Sequence, residues 1–266
     1  MRKKIAIFTK AESSAEKDAV TEQLKAIGAF DVCEVVSGND LPTDCHDLVG
    51  FGGDGTVLEA VKSVRDDVIV TGINVGNLGF LTQFEKDSPI SNIVDGINCG
   101  DYDERMALCV NCGETRAEAL NEIVLKSTTS RPVYIDVFVD SKFVDSYHSD
   151  GAIVSSPTGS TAYSLSAGGP ILAPNVSAIV IIPICAHSLH SRPMVVNSDA
   201  KIELRLREDE KAVLCADGEN ILDIVGAKSI TVQKSAHSVK FLKTENDNFY
   251  KKLIQKMNRW GSVDPR

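Results

Sequence analysis

No apolar run in this 266-residue sequence approaches the roughly 20 residues that a helix needs to cross a bilayer, so a membrane span is not expected. The start, Met1-Arg2-Lys3-Lys4 followed by only Ile5-Ala6-Ile7-Phe8, is too short in apolar length for a secretory leader and reads as a first strand. Positive charge is scarce as well. With 28 Lys and Arg against 37 Asp and Glu, the net charge of −9 excludes nucleic acid or an anionic membrane as the main partner. Cysteine is present seven times, an odd number without the spacing of a small disulfide-linked domain, which suits a reducing cytoplasm. Cys109-x-x-Cys112 lacks a second pair or a matching His, so Cys109 is expected to be a small sheet residue and not a zinc ligand. The eight-residue P-loop pattern is missing throughout, and His148, His187 and His190 have no nucleophile-elbow context that would make a Ser-His-Asp hydrolase. There is no internal repeat or low-complexity segment.

What is present is a turn. Gly52-Gly53-Asp54-Gly55-Thr56 lies between the apolar run Leu48–Phe51 and the helical pattern beginning at Val57. Glycines let backbone N–H groups approach phosphate oxygens, and the helix that follows aims its positive end at the same place. A carboxylate in such a turn would repel phosphate. It suits a site where a metal neutralises the phosphates, or where a nearby hydroxyl must give up or orient its proton, and so points to phosphoryl transfer. The plainer alternative is that Asp54 only caps the helix. Gly50, Gly52 and Gly55 also satisfy G-x-G-x-x-G, but the acidic residue expected about 20 positions later is replaced by Asn74-Val75-Gly76.

The length corresponds to about two domains, and 43% hydrophobic residues suffice for a core in each. Residues 3 to 98 alternate strand and helix patterns, as in a parallel sheet with covering helices. Strands are expected at Ile5–Phe8, Val32–Val36, Leu48–Phe51 and Val68–Ile73, and helices after Ser13, with Glu16 completing a capping box and Gly28 ending it, and over Val57–Val64. A second glycine-rich turn, Asn74–Leu81, follows the fourth strand, at the sheet end where open α/β folds bind ligands. From about residue 102 the period becomes two. Val133, Ile135, Val137 and Val139 alternate with Tyr134, Asp136, Phe138 and Asp140 before a turn at Ser141-Lys142, and Ile202, Leu204 and Leu206 alternate with charges. The expected architecture is an α/β, Rossmann-like nucleotide-binding domain over 1–101, a mostly β, sandwich-like domain over 102–240, and a helix over 241–266 returning to the first. In that helix Phe249, Tyr250, Leu253, Ile254, Met257 and Trp260 form one apolar stripe expected to pack on the first domain.

Ser155–Ser164, followed by Ser166-Ala167-Gly168-Gly169-Pro170, is too rich in hydroxyls and glycine for a core segment. It reads as a wall of hydrogen-bonding groups for a polar ligand, in which Ser160 or Thr161 can cap a helix and Tyr163 can stack on a planar ring. An ordinary Ser/Thr-rich surface loop is the other reading. Asp150-Gly151 just before it, and Asn121-Glu122 inside the apolar stretch Ala119–Leu125, favour the first, because a strand rarely carries a carboxamide and a carboxylate side by side without a use for them.

Taken in order, Gly52–Thr56, Asn74–Leu81, Asn121-Glu122, Asp150-Gly151, Ser155–Ile171, Ile184–Val195 and Asp217-Gly218 resemble the bacterial NAD kinases over nearly the whole chain. The resemblance implies an ATP-dependent transfer of phosphate to the 2′-hydroxyl of the adenosine ribose of NAD, by a cytoplasmic homotetramer or homodimer. By position it assigns Asp54 to the hydroxyl proton, and Gly52, Gly53, Gly55 and Thr56 to the phosphates, with Mg²⁺ brought by ATP. It further assigns Asn121, Thr158 and Thr161 to the adenine end, Glu122 to ribose hydroxyls, and Asp150, Ala162, Tyr163 and Ser166 to the other end of the dinucleotide. A lipid kinase of the diacylglycerol or sphingosine type shares the glycine-aspartate turn, as more distantly does phosphofructokinase, but neither resembles the Ser155–Ile171 run, and a lipid kinase would want a basic or amphipathic face. A sensor that binds NAD(P) without turnover is the remaining alternative.

Two positions depart from the family pattern. Ala186 stands where proline is usual. His148 stands where arginine is common, so a permanent cation becomes a side chain of the type that changes charge near neutrality. If His148 meets a phosphate, affinity for NAD or NADP is expected to weaken between roughly pH 6 and 8 in the wild type and not in His148→Arg. Parallel binding curves for the two proteins over that range would contradict this.

Overall fold

The computed structural model describes residues 3–8, 15–28, 30–36, 40–62, 64–76, 78–188, 190–244 and 248–261. The expected capping box of Ser13 and Glu16, the side chains of Ala15, Ile27 and Trp260, and residues Asn77 and Leu189 lie outside that description. The chain divides into two compact units, Met1–Glu104 with Val239–Arg266, and Arg105–Ser238.

The first unit holds β1 (Lys3–Phe8), α1 (Ala15–Ile27), β2 (Phe30–Val35), β3 (Asp47–Phe51), α2 (Asp54–Val61), β4 (Ile69–Asn74), β5 (Phe84–Glu85) and α3 (Ile90–Cys99). Its strands run parallel in the order β2-β1-β3-β4, with β5 paired parallel to the far end of β4. The short apolar runs read from the sequence are these central strands, and β3 is buried at every residue, as a parallel strand covered on both faces must be. Alternate residues of β1 serve opposite faces. Ile5 and Ile7 pack with Leu24, Val49, Ile73, Ile93 and Ile97 on one side, and Ala6 and Phe8 with Leu48, Ala60 and Val68 on the other. Gly28, at φ 65°, closes α1 in the left-handed conformation. The helix α3, for which the sequence reading set no bounds, turns Ile93 and Ile97 inward and is closed by the left-handed Gly100.

The second unit holds most of β6 (Tyr102–Cys112), then β7 (Thr115–Ala119), β8 (Glu122–Ser127), β9 (Val133–Val139), β10 (Lys142–Ser149), β11 (Gly151–Ser155), α4 (Tyr163–Ser166), β12 (Ala178–Ile184), β13 (Met194–Asn197), β14 (Ile202–Leu206), β15 (Lys211–Ala216), β16 (Glu219–Val225) and the start of β17 (Lys228–Leu242). One sheet is antiparallel in the order β13-β12-β11-β8-β15-β16, and β10, β9, β14 and β17 form a second antiparallel run. The alternating residues Val133, Ile135, Val137, Ile202, Leu204 and Leu206 of the second run join Ile123, Leu125, Ile179, Ile181 and Leu214 of the first in one buried core. The turn after β9 sits one residue earlier than expected. Asp140 and Ser141 both take positive φ, the geometry of a two-residue hairpin whose twist matches its strands. Cys109 and Cys112 are buried on β6.

The last helix, α5 (Phe249–Gly261), belongs to the first unit, but its expected single packed stripe is not what forms. Tyr250, Ile254 and Met257 are exposed, at 64%, 59% and 50%. The face turned inward is Phe249, Lys252, Leu253 and Lys256, spaced i, i+3, i+4 and i+7, and two of its four members are lysines. Apolar content alone could not identify it, because the lysines contact specific oxygen atoms.

Candidate active site

Asp54 opens α2, whose N-cap is Gly53 with no side-chain cap bond. Its carboxylate does not cap the helix. Instead Oδ2 accepts the N–H of Phe80 and Oδ1 that of Leu81, both at 2.9 Å, so the first glycine turn is joined to the second across 26 and 27 residues of sequence. Two glycines make this possible. A Cβ on Gly79 would stand 2.2 Å from Asp54 Oδ1, and one on Gly52 would stand 2.3 Å from Thr56 Oγ1. The second turn is set in place by β4, where Gly72 admits the backbone of Leu81 and Thr82, exchanging hydrogen bonds with Gln83 on both its N–H and its carbonyl. The Lys256 ammonium also reaches Asp54 Oδ2, at 3.3 Å, a contact 202 residues distant that no sequence pattern announced. Gly52 N–H is bound to Ile73 O, which fixes the turn to the sheet end.

In the second unit most of the hydroxyl-rich run is bound to nearby backbone, and a few hydroxyls are not. Ser156 Oγ donates to Leu120 O and accepts from Gly159 N–H, Ser155 Oγ donates to Ser156 O, and Ser160 Oγ donates to Pro157 O and accepts from Leu172 N–H. Neither Ser160 nor Thr161 caps α4, whose N-cap is Ala162 without a side-chain bond. These hydroxyls are spent on holding a tight turn against Asn121, where a Cβ on Gly159 would lie 2.1 Å from the Asn121 carbonyl oxygen. Others are left over. Among the described residues, Glu122 Oε2, Thr158 Oγ1 and Ser164 Oγ are buried polar atoms without a hydrogen-bond partner, and such atoms are costly unless something meets them. Ser164 was not singled out by the sequence; only its burial beside the close backbone of Gly169 distinguishes it from its neighbours. Tyr163 and Ser166 lie exposed on α4, and Ala162 precedes them half-buried.

Asn121 and Glu122 are positioned by Asp217. This residue and Gly218 form the left-handed turn between β15 and β16, and the Asp217 carboxylate accepts the N–H groups of Leu120, Asn121 and Glu122 at 2.7, 2.8 and 3.1 Å. Glu122 is 7% exposed. Burial, reinforced by the negative charge of Asp217, pushes its carboxyl up to about 8. Asp150 is half-buried and bound through its backbone to Ile184 and Ser127. His148 stacks on Tyr134 with ring centres 4.3 Å apart, meets His187 edge-on at 4.9 Å, and Arg207 lies over the same tyrosine. Cys185, beside Ala186, takes φ 48° in the loop where the family pattern is broken.

The ATP-NAD kinase N-terminal domain model matches residues 8–102 and the C-terminal domain model residues 120–244. The chain belongs to the ATP-NAD kinase family. An NAD kinase of Sulfurimonas denitrificans is 38% identical over 226 residues, covering 82% of this chain and 78% of its own. The crystal structure of an NAD kinase from Archaeoglobus fulgidus in complex with ATP superposes with a TM-score of 0.82 at 27% identity, covering 97% of this chain and 99% of that one. Yeast NADH kinase complexed with NADH, 23% identical, shares the fold with a TM-score of 0.86 over 100% of this chain and 90% of its own. The activity is thus that of an NAD kinase, a phosphotransferase with an alcohol acceptor, and neither a lipid kinase nor a non-catalytic sensor is favoured. Among the described residues no helix is long and apolar enough to cross a membrane.

Glu122 yields a pH prediction. The folded chain holds this proton where the unfolded chain, near the ordinary value of 4.5, has released it, so stability is lost as pH rises from about 4.5 to about 8. The melting temperature of Glu122→Gln relative to the wild type is expected to climb between about pH 5 and 8, by roughly 2–4 °C for each kcal/mol relieved. A difference that stays constant over that range would contradict the assignment.

Proposed function

We propose that this NAD kinase transfers the γ-phosphoryl group of ATP to the 2′-hydroxyl of the adenosine ribose of NAD with Asp54 as the group that receives or orients the hydroxyl proton. The 2′ oxygen forms the new bond to phosphorus, the bond to the β,γ-bridging oxygen breaks, and NADP and ADP leave. The observation that carries this reading is the Asp54 carboxylate itself, fixed by the Phe80 and Leu81 N–H groups inside a glycine turn at the amino end of α2. A carboxylate tied down by two backbone donors is already oriented for a proton transfer, which lowers the cost of reaching the reactive geometry.

The backbone of Gly52, Gly53, Gly55 and Thr56 then holds the phosphates, supported by the helix end behind it. On this reading the divalent cation is carried by the phosphate oxygens of ATP and by water, with the Gly52–Thr56 turn holding the phosphates. Mg²⁺ bound in that way would disperse the charge of the transferring group. In the second unit Asn121, Thr158 and Thr161 take the adenine end and Glu122 the ribose hydroxyls; the unpartnered Thr158 Oγ1 and Glu122 Oε2 support this assignment. Asp150, Ala162, Tyr163, Ser166 and His148 serve the remainder of the dinucleotide. The same reading includes a homotetramer or homodimer, supported by the family, and a cytoplasmic location, supported by the odd number of cysteines.

Incubation with NAD, ATP and Mg²⁺ is expected to give NADP, and Asp54→Asn is expected to lower turnover by 10²-fold or more while calorimetric NAD binding survives. Turnover near the wild-type rate in Asp54→Asn would show that Asp54 neither accepts nor orients the proton.

A further inference from the structure

The Asp54 carboxylate is held from α5 as well as from the second glycine turn, and we infer that Lys256 is a positioning residue for phosphoryl transfer, one that occupies Asp54 Oδ2 and leaves Oδ1 as the oxygen that meets the sugar hydroxyl. The inference rests on the role of Asp54 proposed above.

Each carboxylate oxygen offers about two lone-pair directions. On Oδ2 both are taken, one by Phe80 N–H at 2.9 Å and one by the Lys256 ammonium at 3.3 Å. Among the described residues Oδ1 accepts Leu81 N–H alone, and glycine at position 79 keeps a Cβ from closing over it. The two oxygens, chemically alike in a free aspartate, are therefore made unequal by the fold, and only one can take a further hydrogen bond without displacing a partner.

An exposed ion pair would be too mobile for this task, and most such pairs contribute little. Lys256 is different in three ways. Its side chain is 17% exposed, its ammonium stands 4.0 Å from the centre of the Phe80 ring, and its helix is fastened to the same segment twice more. Lys252 Nζ donates to Thr82 O at 2.6 Å, and Phe249 packs against Phe80 with ring centres 5.9 Å apart. The inward face of α5 thus grips residues 80 to 82, of which Phe80 and Leu81 hold Asp54 through their N–H groups, and adds a cation to that carboxylate. A helix that only sealed the core would bury the exposed Tyr250, Ile254 and Met257 instead.

A double-mutant cycle separates positioning from general stability. Lys256→Met is expected to lower kcat by about 10-fold with KM for NAD and for ATP changed by less than about threefold, and Lys256→Arg to restore most of the loss. In the Asp54→Asn background the same Lys256→Met change is expected to cost less than about twofold, because the group through which it acts is already gone. Melting temperatures read folding separately, with Lys256→Gln used should the methionine variant not fold. Equal losses in both backgrounds, wild-type kcat in Lys256→Met, or an arginine variant as impaired as the methionine one would overturn the inference while leaving Asp54 in its role. High turnover in Asp54→Asn alone would overturn the role of Asp54 itself.

Discussion

The bond between the Asp54 carboxylate and the N–H groups of Phe80 and Leu81 is the constraint from which the rest of the first unit can be understood. It requires glycine at position 79, because any Cβ there would occupy the carboxylate's place, and glycine at position 72, because the segment carrying the donors must lie against β4. It requires parallel strands β3 and β4 to end side by side, so that one turn delivers an acid and the next delivers backbone donors. A partly buried carboxylate is electrostatically costly, and the two N–H donors and a lysine offset that cost.

The second unit solves a related problem with the same device. Asp217, held in a left-handed hairpin turn, gathers three consecutive N–H groups and so sets the backbone of Asn121 and Glu122. In each unit an aspartate fixes main chain. In the second, Glu122 with its unpartnered Oε2 is one of the residues so fixed, and Gly159, next to Thr158, packs on the Asn121 backbone. Satisfied hydroxyls such as Ser156 and Ser160 build the wall; unsatisfied ones offer binding capacity.

Much of this was legible in the sequence because it is local. Short apolar runs mark β1, β3 and β4, alternation marks β9 and β14, and the Gly52–Thr56 turn stands out within five residues. What could not be read is non-local. Nothing near residue 54 indicates that its partners are residues 80, 81 and 256, and the inward lysines of α5 look like solvent-facing charge until their acceptors are known. The division of Ser155–Ser166 into scaffold and binding groups was hidden for the same reason, since composition counts hydroxyls but not their partners. Helix α3 is legible too, since Ile90, Ile93, Val94 and Ile97 fall at helical spacing between Pro89 and the left-handed Gly100, although no expectation was placed there.

Family membership and geometry bear on different questions. The first identifies the activity, and the second distinguishes among residues that the family pattern treats alike, separating Ser160 from Thr158 and Oδ2 from Oδ1 of one carboxylate. The most direct measurement is a crystal structure of the wild-type enzyme with NAD and no phosphoryl donor. The account predicts the adenosine-ribose 2′ oxygen within about 3.2 Å of the Asp54 carboxylate, with Oδ2 still accepting the Phe80 N–H and Oδ1 the Leu81 N–H. A 2′ oxygen more than about 5 Å away, beyond reach of even a strained hydrogen bond, would contradict it.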